Sequence, residues 1–428
     1  MDSEGVSKKN IFFAAFLTAV EYYDFIIYAY LASYIATVFF PPGNQALHLL
    51  ETYAIFAAGY IMRPLGGIVF GNIGDRYGRK IALMGTVILM TGSLILMTLS
   101  PTYQQIGLLA PILLVSARLL QGFAIGGEYN GVLVALIENA PAHRRARTTF
   151  LSVFISGNSV IVATLVVGLL TGFYSDAQMA HFGWRIPYLF GVILSLIALL
   201  FIYKMQETQA FRKIQSERKQ FKIPLLEAIK QQPMIIFMVF VLTGYLGIAY
   251  YMGATYVPNL MKSDLGFSLH TAMLVTLFSS IIYTYSAPIW AYVTDKIGRK
   301  PVLISSILLI MASIYPEFMA LASKNITAII ITLSLTMLFV SACTVTFEVT
   351  INEAFPARIR YSGVAFGYNI GNALLGGTAM YVSQSLFELT GQITMPAIYL
   401  VVMSVITIGL IGYLLPETCG KVFRCQTS

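Results

Sequence analysis

Twelve stretches of the chain run apolar for about the length of a bilayer crossing, separated by polar breaks. They lie near 11–33, 50–72, 80–99, 107–136, 149–172, 186–204, 233–257, 270–293, 301–322, 326–349, 360–386 and 395–415. A spanning helix needs about 20 apolar residues. Backbone groups in hydrocarbon must find partners within their own segment. The pattern therefore predicts an all-α membrane protein with twelve transmembrane helices. The longest polar break, 204–232, carries Lys204, Glu207, Arg212, Lys213, Glu217, Arg218, Lys219, Lys222, Glu227 and Lys230. It divides the chain into six-helix halves, 1–203 and 233–428, and its mixed charge reads as an amphipathic surface helix.

The two halves echo each other. The charged turn Gly71-Asn72-Ile73-Gly74-Asp75-Arg76-Tyr77-Gly78-Arg79-Lys80 returns 220 residues later as Ala291-Tyr292-Val293-Thr294-Asp295-Lys296-Ile297-Gly298-Arg299-Lys300. Glu138-Asn139-Ala140-Pro141 is echoed 215 residues on by Glu353-Ala354-Phe355-Pro356, and arginines follow both. Offsets this close predict one duplication and two parallel, pseudo-symmetric halves.

Composition agrees: the chain is 57% hydrophobic and 11% charged, against about 25% charged for a soluble domain. The +8 charge is an orientation signal. Of 27 Lys and Arg, 22 fall in the tails and in the breaks after segments 2, 4, 6, 8 and 10. By the positive-inside rule both termini lie in the cytoplasm of a multi-pass inner-membrane protein, and no nucleic-acid role is expected. The first segment is interrupted by Glu21 and Asp24, unlike a removable signal peptide. Cys343, Cys419 and Cys425 make neither a disulfide framework nor a metal-ligand spacing. The four histidines fall in or beside loops, and no nucleotide loop is present. No metal, cofactor or enzyme activity is expected.

Charge inside a bilayer costs at least ~2.5–3.5 kcal/mol per residue on insertion scales, so each such residue asks for a partner or a function. The interior set reads as Glu21 and Asp24 in segment 1, Arg63 in segment 2, and Arg118 and Glu128 in segment 4, all in the first half. Glu21 and Asp24 stand one turn apart on one helix face. Two like charges there cannot both ionise cheaply, so one is poised to carry a proton. Glu128 lies roughly 15 Å along its helix from Arg118, as a second proton station or a partner of Arg63. The second half carries tyrosines instead, with Tyr250, Tyr251 and Tyr368 beside Asn369 as candidate cavity lining. Three interior acids against two bases favour a zwitterion or a cation as substrate.

The duplicated turn resembles the signature loop of the major facilitator superfamily. Glu21-Tyr22-Tyr23-Asp24-Phe25, Arg63-Pro64-Leu65-Gly66-Gly67, Arg118-Leu119-Leu120-Gln121-Gly122, Gly126-Gly127-Glu128 and Gly183-Trp184-Arg185-Ile186-Pro187, with Glu353 to Gly363, resemble the metabolite:proton symporter family. That family includes proline/betaine, shikimate, α-ketoglutarate and citrate carriers. The chain departs from the osmosensing carriers in ending ten residues after Pro416-Glu417-Thr418, where no long coiled coil like theirs is expected, and in carrying Tyr22 where a Trp is usual.

The resemblance implies a proton-coupled symporter that imports a small polar metabolite as a monomer in the lipid bilayer. An organic-acid symporter and a proton-driven exporter are the alternatives. It brings helices 1 and 4 together, so that ionised Asp24 would pair with Arg118. Arg118, Arg63, Gln121, Tyr28, Tyr250, Tyr251, Tyr368 and Asn369 become substrate-site candidates; Asp24, Glu21 and Glu128 become proton-coupling candidates. Gly71, Asp75, Arg76, Arg79 and Glu138, with Asp295, Arg299 and Glu353, form a cytoplasmic gate. There each Asp would meet a helix N-terminus or a basic residue of the other half.

Overall fold

The computed structural model describes residues 8–126, 142–204, 224–415 and 417; of 8–15, 71, 72, 74–76, 79, 224–227, 357, 358 and 361 it describes the backbone alone. Each apolar stretch becomes a helix. In order they are α1 (Lys8–Tyr30, continued by Ala32–Phe39), α2 (Gln45–Tyr77), α3 (Arg79–Leu99), α4 (Leu109–Ile125), α5 (Ala146–Phe173) and α6 (Arg185–Lys204). The second set is α7 (Pro233–Ser263), α8 (Leu269–Ile297), α9 (Arg299–Ser323), α10 (Ile326–Ala354), α11 (Ala357–Gly371, running on to Thr390) and α12 (Met395–Leu414). Several helices run past the apolar stretch, because polar residues carry the last turns out of the hydrocarbon. A short helix, Pro224–Gln231, precedes α7 and packs on α11; the rest of the polar break lies outside the described residues.

The duplicated turn has one geometry in both places. Gly78 joins α2 to α3 at φ 107°, and Gly298 joins α8 to α9 at φ 117°. A side chain there would be strained, which explains why glycine occupies both. Behind the second turn, Glu417 accepts hydrogen bonds from the backbone N–H of Arg299 and of Lys300, both at 3.0 Å. A carboxylate at a helix start suits the positive end of the helix dipole.

Close helix crossings rest on missing side chains. Cβ atoms at Gly122 and Gly126 of α4 would run into the carbonyls of Gly59 and Arg63 in α2. In membranes, where apolar surface gives no drive for association, such backbone contact holds helices together. Among the described residues, the halves meet where α5 packs on α8 and α10, α2 on α11, and α1 on α7.

Two helices of the second half are irregular at mid-depth. Met252–Tyr256 in α7 and Asn372–Gly376 in α11 are wider, i→i+5 turns. Such bulges collect at functional sites, and both open beside a central cavity.

Candidate functional site

The cavity, of about 60 Å³, lies between the halves. Tyr250, Tyr251, Tyr283 and Tyr368 line it, with Tyr22 and Glu348. The rings of Tyr250 and Tyr283 stand 5.3 Å apart, and those of Tyr250 and Tyr251 5.5 Å. The hydroxyl of Tyr251 is bonded to that of Tyr60 in α2, closing one wall across the half interface.

Beside the cavity lies a buried polar chain. The side-chain amide of Gln121 donates to both carboxylate oxygens of Asp24, and its carbonyl accepts from the Arg118 guanidinium. All three residues are fully buried. The expected direct pairing of Asp24 with Arg118 is therefore corrected: among the described residues, Gln121 stands between them. An amide is the neutral group that can accept from a guanidinium at one atom and donate to a carboxylate at the other.

The two arginines rest on rings. Arg118 lies 4.1 Å from the ring centre of Tyr28 and 4.6 Å from that of Phe25. Arg63 lies 4.4 Å from the ring centre of the same Phe25 and 4.0 Å from that of Tyr60. Cation–π attraction is worth ~2 kcal/mol or more when desolvated, so these rings help offset the burial of charge. Nε and Nη2 of Arg118 and Nε of Arg63 have no hydrogen-bond partner among the described residues, and neither has Oε2 of Glu21.

Several expectations change here. Tyr250, Tyr251 and Tyr368 line the cavity; Arg118, Arg63, Gln121, Tyr28 and Asn369 do not. Tyr28 donates its hydroxyl to the Thr52 carbonyl, 3.0 Å away, and supports Arg118 with its ring. Asn369 faces the Gly126 carbonyl at 3.4 Å across the halves. The count of interior charges is also corrected, because Glu317 in α9 and Glu348 in α10 are buried acids of the second half. Both stand inside predicted apolar segments, where one acid hardly lowers the average. Among the described residues the interior acids are then Glu21, Asp24, Glu317 and Glu348, beside Arg63 and Arg118. Glu348 faces the cavity and accepts a hydrogen bond from Ser152 of α5, so it also bridges the halves.

At the face carrying the duplicated turns, charges lock the halves together. Asp295 accepts from the backbone N–H of Ala146 and of Arg147, each at 3.1 Å, at the start of α5. It also pairs with Arg299 at 3.2 Å. Glu353 holds Arg299 at 3.1 Å and Arg145 at 3.0 Å. Arg145 comes from the other half, where it is one of the arginines of the echoed break after segment 4. Asp75, Arg76 and Arg79 lie where only the backbone is described, as does Gly71, and Glu128 and Glu138 lie outside the described residues.

At the opposite face, Lys262 of α7 meets Asp176 at 2.5 Å, and Tyr34 donates to the same carboxylate at 2.6 Å. These bonds, the one from Lys262 foremost, hold the Asp176 carboxyl below the usual range. Nearby Asp264 is shifted the other way, upward, chiefly by burial.

Two six-helix halves around a central polar cavity, closed at both faces by contacts between them, define a membrane carrier of the major facilitator superfamily. The sequence matches the family described as "Sugar (and other) transporter" over residues 10–223 and again over 206–427. The chain belongs to that family, and it is a transporter rather than an enzyme. A Staphylococcus aureus (strain MSSA476) protein named "Putative proline/betaine transporter" is 36% identical over 422 residues, covering 98% of this chain and 90% of that protein. The "Glycine betaine/proline/ectoine/pipecolic acid transporter OusA" of Dickeya dadantii (strain 3937) is 31% identical over 437 residues, covering 99% and 86%. Among solved structures, the xylose transporter XylE from E. coli in a partially occluded inward open conformation superposes with a TM-score of 0.78 at 17% identity, covering 97% of this chain and 99% of that one. At that identity the likeness concerns the fold.

Proposed function

We propose that this protein is a proton-coupled symporter that carries a compact zwitterion or cation, of the betaine or proline kind, inward across a bacterial inner membrane. In this reading it works as a monomer with both termini in the cytoplasm. The observation that carries the proposal is the fully buried Asp24–Gln121–Arg118 chain beside a tyrosine-lined cavity. Ionised Asp24 holds Gln121, and Gln121 holds Arg118. A proton on Asp24 removes its charge and turns one of its two acceptor oxygens into a donor, which loosens the amide and lets the guanidinium move. Glu21, next to Arg63, and Glu128 are further proton stations on the same route.

The halves, 1–203 and 233–428, rock about the cavity on the linker 204–232. Asp295, Arg299 and Glu353 close the cytoplasmic side, joined there by Gly71, Asp75, Arg76, Arg79 and Glu138. Tyr250, Tyr251 and Tyr368 contact the solute directly; Arg118, Arg63, Gln121, Tyr28 and Asn369 shape the site from behind. The names of the proline/betaine relatives support the substrate class.

Reconstituted protein with an imposed inward pH gradient should accumulate glycine betaine or proline. Asp24→Asn should abolish accumulation while retaining counterflow exchange. Accumulation by wild type that ignores a collapsed gradient would overturn symport, and normal accumulation by Asp24→Asn would remove Asp24 from it. The bare guanidinium nitrogens of Arg63 and Arg118 favour a second reading, an organic acid carried with protons. Competition by succinate or citrate, with none by betaine, would select it.

A further inference from the structure

The charged wall of the cavity is an acid. Glu348 is 1% exposed, sits six residues before the C-terminal end of α10 and lines the cavity together with aromatic rings. The two interior arginines stack on the rings of Phe25, Tyr28 and Tyr60. The cavity lining thus brings one carboxylate together with several tyrosine rings. A tyrosine ring presents negative potential at its face, and rings around a carboxylate form a cage for an ammonium group whose own nitrogen need not donate a hydrogen bond. A second feature points to a ligand. Thr243 of α7 also lines the cavity, is 2% exposed, and its hydroxyl has no hydrogen-bond partner among the described residues. A buried hydroxyl left so costs ~1–3 kcal/mol, a cost that an acceptor on a bound solute would relieve.

We propose that Glu348, with Tyr250, Tyr283 and Tyr368 around it, is the cation subsite of this carrier and takes a quaternary or secondary ammonium group, while Thr243 donates to the solute's carboxylate. This deepens the reading above and rests on its claim that the solute carries a positive charge. It also gives the Ser152–Glu348 hydrogen bond a role. That bond joins α5 of one half to α10 of the other, so an ammonium group drawn to Glu348 competes with a contact between the halves, and occupancy of the subsite is felt at the interface that must open.

The test uses the full-length protein in detergent, with binding read by calorimetry for three probes of matched shape: glycine betaine, choline, and 3,3-dimethylbutanoate, in which carbon replaces the ammonium nitrogen. Wild type should prefer betaine to 3,3-dimethylbutanoate by about 10- to 100-fold, the value of a charged contact in a dry site. Glu348→Gln should reduce that preference to under about threefold, and Glu348→Asp should keep most of it. Should Glu348→Gln fail to fold, Tyr283→Leu provides the check: loss of a cage ring should weaken betaine and choline about 5- to 30-fold and 3,3-dimethylbutanoate far less. If wild type prefers betaine and the preference survives in Glu348→Gln or, where that variant does not fold, in Tyr283→Leu, the subsite is overturned and the transport reading stands. If wild type binds organic acids but neither betaine nor choline, both fall. Stabilisation by Na⁺ alone that Glu348→Gln abolishes, with betaine affinity unchanged, would make Glu348 a metal-cation site and overturn the ammonium cage.

Discussion

The two faces of the carrier are closed in different ways. On the face with the duplicated turns, Arg145, Asp295, Arg299 and Glu353 have side chains at most 4% exposed, and the two acids share these two arginines, the more exposed Arg147 and the start of α5. On the other face, Asp176 is 68% exposed and meets one lysine and one tyrosine. A buried, cross-linked cluster is lost as a unit, because removing one member strands charge without water. An exposed pair leaves both groups able to hydrate. The first face should therefore open only when something deeper changes, and the second should open readily. Under the proposed orientation, this asymmetry favours a carrier that waits open to the outside for its solute.

The hardest test of that asymmetry is Glu353→Ala. It leaves Arg145 and Arg299 buried without their shared carboxylate, a loss of ~3–5 kcal/mol for a broken buried pair. The halves should separate at this face, and distances between spin labels on α5 and α8 should lengthen in most molecules. An unchanged distance distribution would show that the cluster does not hold the face shut.

Asp295→Asn should do less. Its amide keeps one oxygen to accept from the start of α5 but loses the charge that faces both the helix dipole and Arg299. Hydrogen bonds to a charged group are worth ~1.5–3 kcal/mol against ~0.5–1.5 for neutral ones, so a loss near ~1–2 kcal/mol and a partial shift of the same distances are expected. A shift as large as that of Glu353→Ala would mean that the α5 cap, rather than the arginine pairs, dominates the latch.

This face was legible in the sequence to the extent that its residues repeat. Gly78 and Gly298 announce one turn used twice, and Asp295 beside Arg299 and Glu353 follows from the echo. Arg145 was not legible in its role, because a loop arginine serves topology equally well, and only the approach of α5 to α10 makes it a partner of Glu353. The twelve helices follow from apolar runs of bilayer length, but which side of each helix faces the cavity does not. Tyr28 and Asn369 read as substrate-site candidates; in the fold the ring of the first supports Arg118 and the second joins α11 to α4. Glu348 was hidden by averaging, since a single acid in an apolar run barely alters its hydropathy. The wide turns in α7 and α11 have no sequence signature either; the one in α11 ends at Gly376, which meets Gly247 of α7 at a crossing too close for side chains.

The smallest effect belongs to the exposed face. Lys262→Met should cost only ~0–1 kcal/mol of closure, as for other exposed ion pairs, and should leave the buried face unchanged. The same contact makes closure here sensitive to acid. The Asp176 carboxyl is held below its ordinary value by the bond from Lys262 first and Tyr34 second. A depressed carboxyl stabilises the closed form in full above the ordinary Asp value of ~3.9, and that stabilisation is lost as pH falls through the lowered value. Closure of this face should thus be flat from pH 5 to 8 and weaken only in stronger acid, and Lys262→Met should shift the midpoint of weakening upward, toward the ordinary Asp value. Spin-label distances between α5 and α7 near Asp176, followed against pH, read this directly. A transition near neutral pH would assign the acid response of this face to another group and remove Asp176 from it.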